Sequence, residues 1–225
     1  MNKEIPEKQL ELNEKKVYTL FSKVFYNTNL NLNDNELKEV VKVLDNIYTK
    51  NSYEHYATHH NMDRNKLSQA SIRKNVLDDL PILKNLIMNE FNIFKNDILK
   101  YNKNDFKITT SWISKSIKGQ SSEYHNHNNC MYSGIFYVQT NENSGGISFE
   151  NFENSRFLLN PSEHNLYNCK EIVINPVNNT LLFFPSEVHH KVLINNSDIV
   201  RYAIAFNLIP IGKIGKEDSD SFLEI

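Results

Sequence analysis

Two imidazoles one residue apart, His125 and His127 in Glu123-Tyr124-His125-Asn126-His127-Asn128-Asn129, open the search for residues that could do chemistry. On a strand, residues two apart project from the same face, so both rings can reach one point. A second pair, His189-His190, follows Phe183-Phe184-Pro185-Ser186-Glu187-Val188. Neighbours on a strand face opposite ways, so only one of this pair can join the first. Two imidazoles from one strand and a third from a distant strand make a three-point site for a transition-metal ion. Structural or surface histidines are the plain alternative for His-x-His alone. The downstream histidine, in a chain patterned for strands, favours metal.

The remaining candidates carry less. His55, His59 and His60 lie in a polar stretch. His55 and His59 stand at helical spacing, but no third ligand is evident, and solvated or capping histidines account for them. His164 sits in a loop and supports no claim. Cys130, close to the His-x-His segment, reads as a buried, inert thiol. Glu123 shares a strand face with His125 and His127 and could supply an outer carboxylate, unless it is a solvated strand end.

These residues need a frame. Candidate strands are 106–113, 123–127, 133–139, 146–149, 171–174, 180–184, 190–194 and 201–208, divided by turn-forming segments such as Asn141-Glu142-Asn143-Ser144-Gly145 and Asn195-Asn196-Ser197-Asp198. That density of short strands predicts a sandwich or barrel. The first half predicts an early strand across 17–26 and two helices. The first helix starts after Asn33, with Glu36 three places on completing a capping box, and presents Leu37, Val40, Val41, Leu44, Ile47 and Tyr48. The second starts at Pro81 and presents Leu83, Leu86, Ile87, Phe91, Phe94 and Ile98. The expectation is one domain, mainly β with N-terminal helices (α+β): a strand and helical buttress over 1–104, a β core over 105–209 and a tail over 210–225. The polar stretch 49–75 is a candidate cover for the mouth of that core.

Composition narrows the function. The chain has 225 residues, 40% hydrophobic and 23% charged, as an ordinary globular protein does. A formal net charge of −2 lacks the electrostatic footprint of a dedicated nucleic-acid or membrane-surface binder. Two cysteines cannot form a disulfide framework and suggest a reducing, cytoplasmic setting. No stretch approaches a membrane span. Asparagine makes up about one residue in seven, which we read as the mark of an AT-rich genome.

The second half resembles a known family. Ser111-Trp112, His125-x-His127, Ser133-Gly134-Ile135-Phe136-Tyr137, Gly145-Gly146-Ile147-Ser148-Phe149, Phe183-Phe184-Pro185-Ser186, His190, Arg201 and Phe206-Asn207 follow one another as in the 2-oxoglutarate- and Fe(II)-dependent oxygenases, in the phage and marine-bacterial branch related to prolyl hydroxylases. The resemblance covers about residues 105–209. It implies a double-stranded β-helix, or jelly roll, with Fe(II) in its mouth and 2-oxoglutarate and O2 as co-substrates. His125 and His190 would be iron ligands, the alignment on Phe184-Pro185-Ser186 selecting His190 over His189. Arg201 would hold the far carboxylate of 2-oxoglutarate, and Tyr137 would hydrogen-bond the same molecule. The implied reaction oxidises a substrate, a small molecule, peptide or nucleotide, with hydroxylation as the default outcome.

One position departs from the family pattern. His127 stands where the facial triad of such enzymes has a carboxylate. As a third ligand it raises the charge of the protein–metal unit by one, which favours a dianionic co-substrate and gives iron less electron density. Two other readings compete. Gly119 followed by His125-x-His127, with Pro185 to His190, resembles a cupin-type metalloprotein, although the expected second-half Glu is missing and Glu187 stands in place of Gly. The third is a non-catalytic jelly-roll binding module. Arg201 and Tyr137 discriminate, since a 2-oxoglutarate enzyme requires a carboxylate anchor.

Overall fold

A computed structural model describes residues 22–48, 53–55, 63–151 and 159–225. In chain order they form β1 (Tyr26–Asn29), α1 (Asp34–Ile47), β2 (Tyr53–His55), β3 (Gln69–Ser71), α2 (Pro81–Ile93), β4 (Asp105–Ser116), β5 (Tyr132–Gln139), β6 (Ile147–Glu150) and β7 (Glu171–Ile174). They continue with β8 (Thr180–Pro185), β9 (His190–Val192), β10 (Arg201–Ile211), β11 (Lys213–Ile214) and β12 (Leu223–Glu224). A seven-stranded sheet has the order β1-β8-β5-β10-β4-β3-β2, and a three-stranded sheet has the order β7-β6-β9. The pairings in both sheets are antiparallel. This is a two-sheet jelly-roll core, with helices on the outside of the large sheet.

Strand alternation divides the apolar residues between two layers. On β5, Phe136 and Val138 face the helices, whereas Ile135 and Tyr137 face the small sheet. On β10, Ile204, Phe206 and Leu208 face the helices, whereas Ala203 and Ala205 turn inward. The helix-side layer is aromatic: Phe91 meets Phe183 at 5.2 Å and Tyr132 at 5.7 Å, and Phe206 meets Phe183 at 5.8 Å between centroids. Each such ring contributes roughly 1.5–3 kcal/mol by leaving water. This layer makes the large sheet a rigid back wall for whatever sits between the sheets.

Asn33 caps α1 as expected: its side chain accepts from the Asn35 and Glu36 amides, and Glu36 accepts from the Asn33 amide at 2.7 Å. Leu37, Val40 and Leu44 are buried on the sheet, and Val41, Ile47 and Tyr48 are half-buried beside it. The second helix keeps its expected face through Phe94, then departs from it. Residues Phe94–Ile98 wind as a π-turn, with the Leu99 amide donating to the Phe94 carbonyl at 3.1 Å. The extra residue in that turn rotates Ile98 out to solvent and brings Leu99 against the core.

Other expectations shift. The early strand is Tyr26–Asn29, later than expected, and residues 17–21 lie outside the described residues. Tyr26 anchors it by stacking on Phe94 at 5.2 Å. The polar stretch adds strands β2 and β3 to the edge of the large sheet beside β4. Segment 123–127 is not a regular strand. It joins the small sheet through one bridge, His125 to His190. Among the described residues no helix is long and apolar enough to cross a membrane.

Candidate metal centre

Backbone hydrogen bonds hang the histidine segment on the rim of the small sheet. The His125 amide donates to the His190 carbonyl at 3.0 Å, and the His190 amide returns the bond at 2.9 Å. On either side, the Ser122 amide reaches the Val192 carbonyl and the His127 amide reaches Ser186, both at 2.9 Å. A turn, Val188 amide to Pro185 carbonyl at 3.0 Å, links β8 to β9 and leaves the segment one paired position rather than a full ladder.

This suspension brings the three rings together. Centroids of His125 and His190 are 4.4 Å apart, those of His127 and His190 5.1 Å, and those of His125 and His127 5.4 Å. One nitrogen from each ring lies within 4.8 Å of the others. The Nδ1 atoms are engaged behind them. His125 Nδ1 is 2.9 Å from the Glu123 carbonyl, and His190 Nδ1 is 2.9 Å from the Val188 carbonyl. His127 Nδ1 is 2.7 Å from Asn207 Oδ1 and 2.9 Å from Ser133 Oγ. A carbonyl opposite Nδ1 places the proton there and leaves the Nε2 lone pair for a metal.

Burial opposes charge on all three rings. It lowers His125 below the ordinary imidazole value, holds His127 at about 4 and His190 at about 3, and the neighbouring rings of the cluster push His127 and His190 further the same way. At neutral pH the cluster is three neutral nitrogen donors. That donor set suits Fe(II) as well as other first-row divalent ions.

A second polar group lies on the inner face of the large sheet. Arg201 is 1% exposed, and its Nη1 donates to the Ser144 and Gly145 carbonyls at 2.7 and 3.0 Å. Tyr137 is wholly buried, and its hydroxyl has no hydrogen-bond partner among the described residues. Burial pushes that hydroxyl up to about 12, while the Arg201 charge pulls the other way. A buried phenol without a partner beside a buried guanidinium suits an anionic ligand with oxygen acceptors. Two openings flank the histidines. A cavity of about 30 Å³, room for one water, is walled by Trp112, Ile135, Ile147, Phe184, Val192 and Ala205. Neither Tyr137 nor Arg201 lines it, so a diacid spanning from the histidines to Arg201 requires side chains between them to move. A cleft of about 410 Å³ opens past Trp112, His127, Asn128 and Asn207.

The structure thus brings His125, His127 and His190 together and leaves His189 outside their cluster. Glu123 contributes its backbone carbonyl; its carboxylate is not among the clustered donor atoms. Cys130 is half-buried rather than buried, with Sγ 3.4 Å from the Asn128 carbonyl. The side chain of His55, and the whole of His59 and His60, lie outside the described residues. Nearby, Lys118 pairs with Asp198 at 2.8 Å, and Lys191 lies over the Tyr124 ring at 4.2 Å. Ser133, Ser186 and Asn207 stand in the motifs of the resemblance, but sequence reasoning gave them no role. A further signal was spacing, since Asn207 lies six residues from Arg201 and therefore on the same strand face.

The comparisons fit this geometry. Residues 110–207 match the model of a family described as "Putative 2OG-Fe(II) oxygenase". A prolyl hydroxylase from Trichoplax adhaerens, solved with a hypoxia-inducible-factor peptide, is 17% identical with a TM-score of 0.58 over 82% of this chain and 83% of that one. The non-haem α-ketoglutarate-dependent carbocyclase SnoK from nogalamycin biosynthesis is 10% identical with a TM-score of 0.59, over 82% and 78%. A Pseudomonas putida prolyl-4-hydroxylase is 14% identical with a TM-score of 0.52, over 81% and 91%. At such identities the structural likeness speaks to the fold. No curated protein matches the sequence. The family match spans the segments that carry His125, His127, His190 and Arg201, and over those residues the chain is similar to the 2-oxoglutarate- and Fe(II)-dependent oxygenases.

Proposed function

We propose that the protein hydroxylates a still unidentified substrate, with His125, His127 and His190 as iron ligands and Arg201 and Tyr137 as the 2-oxoglutarate site. The observation that carries this reading is the convergence of three imidazoles, each with Nδ1 engaged, on the same inter-sheet space as a buried guanidinium and an unpartnered buried phenol. Iron held there, together with 2-oxoglutarate and O2, supplies oxidation of a substrate C–H bond to C–OH, coupled to release of succinate and CO2.

The chain's own residues do the rest. Neutral Nε2 donors bind the metal without first losing a proton. Arg201 grips the far carboxylate through its planar fork, and the Tyr137 hydroxyl donates to a carboxylate oxygen. Ile135, Ile147, Phe184 and Val192 give the histidines an apolar wall on one side. The cleft beside Trp112 and Asn128 is the place for a substrate, whether small molecule, peptide or nucleotide. Residues 105–209 act as the catalytic core, with the first 104 residues as buttress and 210–225 as tail. The free thiols of Cys130 and Cys169 suit a cytoplasmic setting. A cupin-type role would leave Arg201 and Tyr137 without a task.

Iron-loaded protein should convert 2-oxoglutarate to succinate in air, slowly even without substrate, and His190→Ala should abolish the conversion. Succinate formation no faster in the wild type than in His190→Ala would count against the proposal.

A further inference from the structure

We infer that Asn207 is the positioning residue for His127: its carboxamide oxygen fixes which nitrogen of that ring faces the metal, and its lack of charge leaves the centre without an anion of its own. The inference rests on the proposed reading of the three histidines as a metal site.

Asn207 lies on β10, opposite Ser133 of β5 and Thr110 of β4, at a register shift between Asn207 and Leu208. Its Oδ1 is 2.7 Å from His127 Nδ1 and 2.9 Å from Ser133 Oγ, and its Nδ2 donates to Thr110 Oγ1 at 3.2 Å. Ser133, fully buried, also touches Ser186 Oγ at 2.9 Å. A neutral imidazole has one N–H and one lone pair. With the amide oxygen opposite Nδ1, the proton sits on Nδ1 and Nε2 can ligate. With the amide turned over, its N–H would meet Nδ1, the proton would move to Nε2, and the ligand would be lost. The orientation of one side chain therefore decides whether His127 binds metal.

The other two histidines have no such freedom, because backbone carbonyls of Glu123 and Val188 face their Nδ1 atoms. At His127, where the family pattern has a carboxylate, Nδ1 meets side chains instead. A charge can therefore be returned to the centre from one bond further out. Asn207→Asp offers acceptors in either orientation, so it holds the tautomer without choice and makes the imidazole a stronger donor.

Cobalt(II) is the probe, added alone to the full-length protein and followed by its visible ligand-field bands. Wild type should bind. Asn207→Ala should bind about 10–100-fold more weakly. Thr110→Val, which unpins the amide and leaves Asn207 in place, should give a smaller loss. Asn207→Asp should bind at least as tightly as wild type, with displaced bands that a purely structural role would not produce. Wild-type affinity and wild-type bands in both Asn207→Asp and Asn207→Ala would overturn the inference while leaving the metal site standing. Should Asn207→Ala fail to fold, the near-isosteric Asn207→Asp decides alone: weaker binding with unmoved bands would overturn it. Absence of cobalt binding by the wild type would instead remove the three-histidine reading on which this rests.

Discussion

At the scale of single residues, the roles proposed for His127 and Arg201 are separate and can be tested apart. If His127 is a ligand, His127→Ala should lower Fe(II) affinity, whereas His127→Asp should retain iron and restore the more usual charge. Metal titration of both variants checks this, and wild-type affinity in His127→Ala would reduce the ring to a cavity wall. Arg201 is enclosed, so truncation removes the partner of any bound carboxylate. Losing one side of a buried charge pair costs on the order of 2–5 kcal/mol. Arg201→Ala should therefore weaken 2-oxoglutarate binding at least tens-fold, measured by calorimetry, with iron content unchanged; equal affinity would place the anchor elsewhere. The clustering of His125, His127 and His190 was legible in the sequence because its signal is local, two positions apart and one motif downstream. The role of Asn207 behind them was not, since it meets His127 across 80 positions, and nothing in a polar side chain's type announces so distant a partner.

At the scale of elements, periodicity found most strands and both helices because most of them bury one face, in the helix-side layer or between the two sheets. It failed where tertiary pairing overrides local pattern. Residues 123–127 alternate like a strand, yet the Pro185–Val188 turn displaces the neighbouring chain, so they hang by a single bridge. The π-turn at Phe94–Ile98 was equally hidden, for it shifts the apolar stripe by one residue without a proline or glycine to mark it. Close packing of β5 on β10 gives a test at this scale. A Cβ on Gly134 would overlap the Phe206 ring and lie 3.0 Å from the Leu182 carbonyl, so that buried ring must shift to admit it. Gly134→Ala should cost about 1–3 kcal/mol in urea unfolding. An unchanged midpoint would show that the sheet yields there more easily than its packing implies.

At the scale of the whole molecule, the buried histidines tie stability to pH. Held at about 4 and about 3 in the folded chain against an ordinary 6.5, His127 and His190 take up protons on unfolding that they lack when folded. Their contribution is therefore complete above about pH 6.5 and lost progressively as pH falls toward those lower values. Metal-free protein should show falling urea midpoints from about pH 7 to about pH 5, with a shallower fall in His190→Gln. Equal midpoints across that range would contradict the burial of these rings. Bound metal should raise the midpoint and steepen the fall, because protons and metal compete for the same nitrogens. The central claim, that one centre holds metal and 2-oxoglutarate together, is met most directly without O2 and without a substrate. Fe(II)-loaded protein titrated anaerobically with 2-oxoglutarate should develop a visible metal-to-ligand charge-transfer band that saturates, with matching heat in calorimetry. Iron-loaded protein that gives neither band nor heat would contradict it.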